Sequence, residues 1–337
     1  MSRRKIAVAL AALLFAVNAL AAEEPGVAAR KKPIELISFG GGGNWPVWVA
    51  QEKGIFAKRG VTVNQTITPN SVFQIKGMVE GKFEIATTAY DNVVAYQEGQ
   101  GEAELSKKPD LFVFMGSYAG GLRLDTAPDI RSFEALRGKS VGVDAATTGF
   151  AFILYKMLAM NGVKQGDYQV EKLGGTPARV EALMQGKIAA TMITSPSEIL
   201  PESKGYYRLA DTTTVFGPYQ ASVGAASRAW AVKNRARLTE FIRAYVHALD
   251  WLYDPKNKEE AIAIYMKYLP NVPKPAAEKS YDIMLGGKNE GFQRKAKFDP
   301  EGARTVLKLR SEFATPKKNL TDPMKYVIEN YYRQALR

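Results

Sequence analysis

Short apolar runs alternate with stretches whose apolar positions recur every three or four residues, the signature of strands alternating with helices. Residues 34–39 read as a buried strand and 46–58 as a helix with Val47, Ala50 and Ile55 on one side. A strand at 61–63, a helix at 74–80, a strand at 83–87 and a helix at 90–98 follow. A polar insert over 98–108 precedes a strand at 111–115, and Leu122-Arg123-Leu124 opens a new stretch ending at Pro128. The alternation then repeats: helix 132–136, strand 140–143, helix 149–160, strand 169–173, helix 177–185, strand 188–193, helix 197–203 and a short strand at 207–209. Residues 221–232 are small and apolar, and helical periodicity fills 237–253, 258–268, 276–285, 301–313 and 322–335.

Strands separated by single helices imply parallel βαβ units. Two blocks of similar size, about 34–118 and 122–210, predict an α/β fold of two lobes, each a mostly parallel sheet flanked by helices, with a helical C-terminal tail. The first lobe is expected to comprise 33–118 and 220–337, the second 122–215, with crossovers near 116–122 and 215–223. Such an architecture closes on a ligand by hinge motion.

Composition adds the compartment. Arg3, Arg4 and Lys5 precede the apolar run 6–20, and Ala19-Leu20-Ala21 supplies small residues for cleavage, so 1–21 reads as a secretory signal peptide cut near Ala21. The run is short for a membrane span. With no Cys in 337 residues, the chain forms no disulfide and has no lipid-bearing Cys. A free periplasmic protein, expected to be a monomer, follows. The formal charge of +12 becomes +9 without Arg3, Arg4 and Lys5, but the basic residues are scattered and no nucleic-acid motif appears. A field favouring small anions is the expectation instead.

Most chemistry is excluded. The single His, His247, lies in an amphipathic helix, and without Cys no zinc or copper ligand set exists; no metal or other cofactor is expected. Met115-Gly116-Ser117-Tyr118-Ala119 lacks the first Gly of a nucleophile elbow, and a serine triad would depend on His247. Gly40 to Gly43 resemble a phosphate loop but lack Gly-Lys-Ser/Thr. Either they form a strand-to-helix turn or they let backbone amides approach a ligand at a helix start.

Candidate ligand contacts lie where strands hand over to helices, the place where open α/β sheets bind ligands. Asn44 and Trp45 follow the glycines, with Trp45 placed to cover an apolar part of a solute. Thr88, Tyr90 and Asp91 hold the equivalent position one unit later, with helix capping by Thr88 as the alternative. Thr147, Thr148 and Gly149 combine hydroxyls with helix-start amides suited to a carboxylate, sulfonate or nitrate, again with capping as the alternative. Ser195 ends a later strand, Arg179 stands in a first helical turn, and Tyr118, Tyr219 and Gln220 lie at the crossovers.

Ala50-Gln51-Glu52-Lys53-Gly54-Ile55-Phe56, the segments 77–86, 136–143 and 179–190, and Arg243-Ala244-Tyr245 follow one another in an order and spacing that is itself informative. In these segments the chain resembles the solute-binding proteins of ABC transporters for nitrate, sulfonate and taurine, the group linked to thiamine-precursor binding. The resemblance implies a type II-like periplasmic binding protein fold and a small anionic solute held in the cleft. It also implies a membrane permease and its ATPase subunit as partners. A related pyrimidine synthase depends on His and Cys residues that this chain, with one His and no Cys, cannot provide, so no catalytic residue is expected. An enzyme or a receptor serving a sensor remains the alternative.

Overall fold

The computed structural model describes residues 32–286 and 290–337, and the architecture below lies within the compact unit Pro33–Arg337. The expected signal peptide lies outside the described residues. Ten strands form two five-stranded sheets. The strands are β1 (Ile34–Phe39), β2 (Val63–Thr68), β3 (Ile85–Ala89), β4 (Leu111–Tyr118), β5 (Leu122–Thr126), β6 (Ser140–Val143), β7 (Gln169–Lys172), β8 (Ala190–Thr194), β9 (Tyr207–Asp211) and β10 (Ser222–Ser227).

The first sheet runs β2-β1-β3-β10-β4 and the second β7-β6-β8-β5-β9. Strands joined by helical crossovers pair in parallel, β1 with β2 and β3, and β6 with β7 and β8. The antiparallel member in each sheet is the strand that arrives from the other one: β10 runs against β3 and β4, and β5 against β8 and β9. The two sheets therefore share one plan, each completed by a strand that enters in the opposite direction. Residues 221–232 carry no alternation because the four central residues of β10, Val223 to Ala226, are all buried, which removes the polar-out half of the pattern.

The element boundaries differ from the sequence reading where local geometry intervenes. The helix expected over 46–58 is two, Trp45–Glu52 and Ile55–Lys58, separated where Gly54 takes a left-handed φ of 62°. The expected helix over 322–335 resolves into a 3-10 turn, Pro323–Tyr326, and a short helix, Asn330–Ala335. The early strand at 61–63 becomes Val63–Thr68, paired along its length with β1.

Beyond β10 the chain is helical. Arg235–Tyr253 has the apolar stripe of an amphipathic helix and packs on Trp45–Glu52 behind the first sheet. Pro300–Phe313, capped by the Asp299 side chain, packs on both Tyr90–Gln97 and Gly149–Met160, so it touches helices belonging to the two sheets. No helix of the described residues is long and apolar enough to cross a membrane.

Candidate ligand-binding site

A cavity opens at the carboxyl ends of β1, β3 and β8, with walls from elements of both sheets. The space open to the centre of a water molecule is about 110 Å³. From the first sheet's side come Phe39 with the Gly40–Gly43 loop, Thr87, Thr88 and Asn92; from the second come Asp144, Thr148, Gly149, Phe150, Thr176, Arg179 and Ser195. Several bonds cross between the two sides. Both carboxylate oxygens of Asp144 accept from the Ser71 N–H at 3.2 Å, the Gly175 N–H donates to the Pro69 carbonyl at 2.9 Å, and Tyr118 Oη donates to the Ser195 carbonyl at 2.9 Å.

Seven of the thirteen candidate contacts named from the sequence line this cavity: Asn44, Thr88, Tyr118, Thr148, Gly149, Arg179 and Ser195. Asn44 shapes the wall more than it offers contacts. Its amide N–H₂ donates to the Phe39 and Gly41 carbonyls and its Oδ1 accepts from Gln65, which commits both of its protons. Thr88 Oγ1 accepts from Asn92 Nδ2 at 3.0 Å, so its proton is still available.

The other six lie elsewhere. Trp45 does not cover the cavity: it is fully buried, its Nε1 donates to the Ala261 carbonyl, and its ring lies 4.4 Å from that of Tyr265. As the first residue of its helix it points toward the helical layer behind the sheet; the aromatic rings in the wall are those of Phe39, Tyr118 and Phe150. Tyr90 is buried likewise, donating to the Pro323 carbonyl at 2.8 Å, and burial pushes its phenol far up. Gln220 is saturated by Ser222, Gln293 and the Asp299 amide. Tyr219 is buried beside Gly149, with no partner for its hydroxyl among the described residues.

Asp91 and Thr147 correct the expected anion site. Asp91 accepts the Gly149 N–H at 2.6 Å and forms a two-pronged pair with Arg310, Nε to Oδ1 and Nη2 to Oδ2, each at 2.6 Å. Arg310 Nη2 also donates to the Thr147 carbonyl. Both charged partners are buried, with 1 % and 0 % of their side chains exposed. The start of helix Gly149–Met160 is thus occupied by a carboxylate of the protein itself, and Thr148 Oγ1 gives its proton to the Ala145 carbonyl. The Gly149 N–H is thereby committed to Asp91.

Arg179 takes over as the cationic group of the cavity. It stands in the first turn of helix Thr176–Met184 and is 2 % exposed. Its Nε donates to Gly174 O, Nη1 to Thr191 Oγ1 and to Met192 O, and Nη2 to Thr176 Oγ1, all neutral acceptors. One of its five N–H groups remains. Desolvation lowers its pKa to about 10, with Asp144 opposing the shift, so it stays charged at neutral pH. Burial pushes the Asp144 carboxyl up, against the Ser71 bond and the field of Arg179. Thr87 is also buried in this wall with no partner for its hydroxyl among the described residues. Thr87, Asn92, Asp144 and Thr176 stand at strand ends and helix starts, the one sequence signal that could have found them.

The family model of the NMT1-like family matches residues 28–266, most of the chain. The chain belongs to the NMT1-like family. No curated protein matches it. Solved structures place this family member among two-lobed periplasmic binding protein folds. A protein from Bordetella bronchiseptica RB50 shares 21 % identity over 91 % of this chain and 97 % of its own, with a TM-score of 0.75. The periplasmic nitrate-binding protein NrtA from Synechocystis PCC 6803 shares 15 % over 90 % of this chain and 88 % of its own, TM-score 0.74. The periplasmic aliphatic sulphonate binding protein SsuA from Escherichia coli shares 18 % over 90 % and 99 %, TM-score 0.65. Among the described residues no cluster of His, Cys, Asp or Glu is arranged to hold a metal ion.

Proposed function

We propose that this NMT1-like protein is the non-enzymatic solute-binding component of an ABC importer. It captures a small organic anion between its lobes and delivers it to a membrane permease with its ATPase subunit. The observation that carries the anionic reading is Arg179, a buried cation in the cavity wall whose bonds all go to neutral groups. A buried charge without a paired counter-ion is costly, and a bound anion removes that cost. A space of about 110 Å³ is well above the roughly 10–15 Å³ that one water needs, so the cavity suits a solute larger than a single water molecule.

Export to the periplasm fits the basic-apolar-small pattern of 1–21. The crossovers at 116–122 and 215–223 serve as the hinge between a lobe of 33–118 with 220–337 and a lobe of 122–215. The bonds from the Ser71 N–H to Asp144 and from the Gly175 N–H to the Pro69 carbonyl belong to the closed form.

Titration calorimetry with short carboxylates and sulfonates tests this reading. Replacing Arg179 with Met is expected to weaken binding about tenfold to a hundredfold, the contribution of one charge-assisted hydrogen bond. Absence of anion binding by the wild type, or unchanged affinity in Arg179→Met, overturns it.

A further inference from the structure

Ser195 sits in the cavity wall just beyond β8, with 2 % of its surface exposed. Three bonds fix it. Its N–H donates to the Gly121 carbonyl at 2.8 Å, its carbonyl accepts from Tyr118 Oη at 2.9 Å, and its Oγ donates to Glu198 Oε1 at 2.6 Å. Glu198 is fully buried, with Arg123 Nε 3.9 Å from the same carboxylate oxygen; Arg123 in turn pairs with Asp211 and Glu290.

A serine hydroxyl has one proton and two acceptor lone pairs, whereas a carboxylate only accepts. The Ser195 proton is therefore committed to Glu198, and the oxygen retains acceptor capacity alone. Three more hydroxyls of the cavity lining are in the same state: Thr148 donates to Ala145 O, Tyr118 to Ser195 O and Ser222 to Thr88 O. Solvent-exposed hydroxyls rotate to suit either kind of partner. These four are fixed before a solute arrives.

We infer that Glu198, which does not itself line the cavity, is a specificity-determining positioning residue. By holding the Ser195 proton it makes this part of the wall an acceptor surface, which selects a solute carrying an N–H or O–H donor in addition to its anionic group. The inference rests on the anionic reading of the same cavity. A site rejects a partner that leaves its buried polar groups unpaired, so an anion with no donor loses affinity here.

The test uses matched anions that differ by one hydroxyl, ethanesulfonate against 2-hydroxyethanesulfonate and propionate against 3-hydroxypropionate, titrated into the full chain. The wild type is expected to prefer the hydroxylated member about tenfold, the worth of one hydrogen bond. In Glu198→Leu the acceptor of the Ser195 proton is gone, and the serine hydroxyl is released to turn its proton into the cavity. The preference is then expected to fall about tenfold, to near unity. Ser195→Ala removes the acceptor and gives the same loss, and adding Glu198→Leu to it changes nothing further. A ratio of affinities is insensitive to a general loss of stability, so a purely structural role for Glu198 leaves it unmoved. If the anions bind but the wild type shows no preference, or Glu198→Leu preserves it, the inference is overturned and the anionic reading survives. If none of the four binds, the anionic reading falls and the inference with it.

Discussion

The Asp91–Arg310 pair offers the sharpest test of the reassigned helix start. Asp91→Asn keeps the shape of the side chain and removes its charge, leaving the fully buried Arg310 guanidinium without a counter-ion. Breaking a buried pair on one side costs about 3–5 kcal/mol. Loss of the negative cap on the Gly149 amide adds roughly 0.5 kcal/mol, which gives about 4 kcal/mol in all. For a folded unit of about 300 residues the unfolding entropy is roughly 0.6 kcal/mol/K, so Tm should fall by about 6 °C. Thermal unfolding and urea titration measure this directly. The companion variant Asp91→Leu with Arg310→Met removes both charges together, and pairs replaced by apolar residues are often neutral or gain about 1–4 kcal/mol. It should recover most of the loss while affinity for the solute stays within about threefold, because neither side chain lines the cavity. A single-variant cost below about 1 kcal/mol, or a double variant that is stable but fails to bind, would refute the assignment of Asp91 as a structural latch.

Trp45→Ala empties a fully buried site packed against Tyr265 and Tyr281 and should cost about 3–5 kcal/mol in urea unfolding, yet leave solute affinity of the folded protein unchanged; a binding loss without a stability loss would return Trp45 to the site. Asp125 is buried with no partner for either carboxylate oxygen among the described residues; burial first, then the fields of Glu202 and Glu198, push its pKa up to about 8. The folded state then keeps a proton that the unfolded state releases above about pH 4, so its contribution is full below pH 4 and is lost as pH rises toward 8. Asp125→Asn should remove a slope of about 1.4 kcal/mol per pH unit between pH 5 and 8, and equal slopes in wild type and variant would discard the argument.

Much of the fold was legible because its signals are local. The 149–160 and 258–268 helices and the 140–143 strand appear with the boundaries their periodicity predicts. β10 was not legible as a strand, since four successive buried residues erase the alternation that marks one. The strand-to-helix handovers lead to the ends of the sheets where the cavity opens, and seven of the thirteen named residues line it. Which way each side chain faces was another matter: Trp45, Tyr90 and Asp91 stand beside true wall residues in sequence and are buried in the layer behind them.

The sequence by itself determined the alternation of elements, the two similar blocks, the absence of Cys and the concentration of small and hydroxylated residues at strand ends. Each of these is a property of residues near one another in the chain. Only the tertiary structure decided the polarity of the site. Arg310 lies 219 positions from Asp91 and occupies its carboxylate, so the helix start at Gly149 is filled from within. Among the described residues the hydrogen-bond acceptors packed around Arg179, Gly174, Thr176, Thr191 and Met192, are all neutral, and Asp144 acts on it only through its field. Charge is written in the residue type, but whether a charge is already neutralised depends on contacts between distant segments.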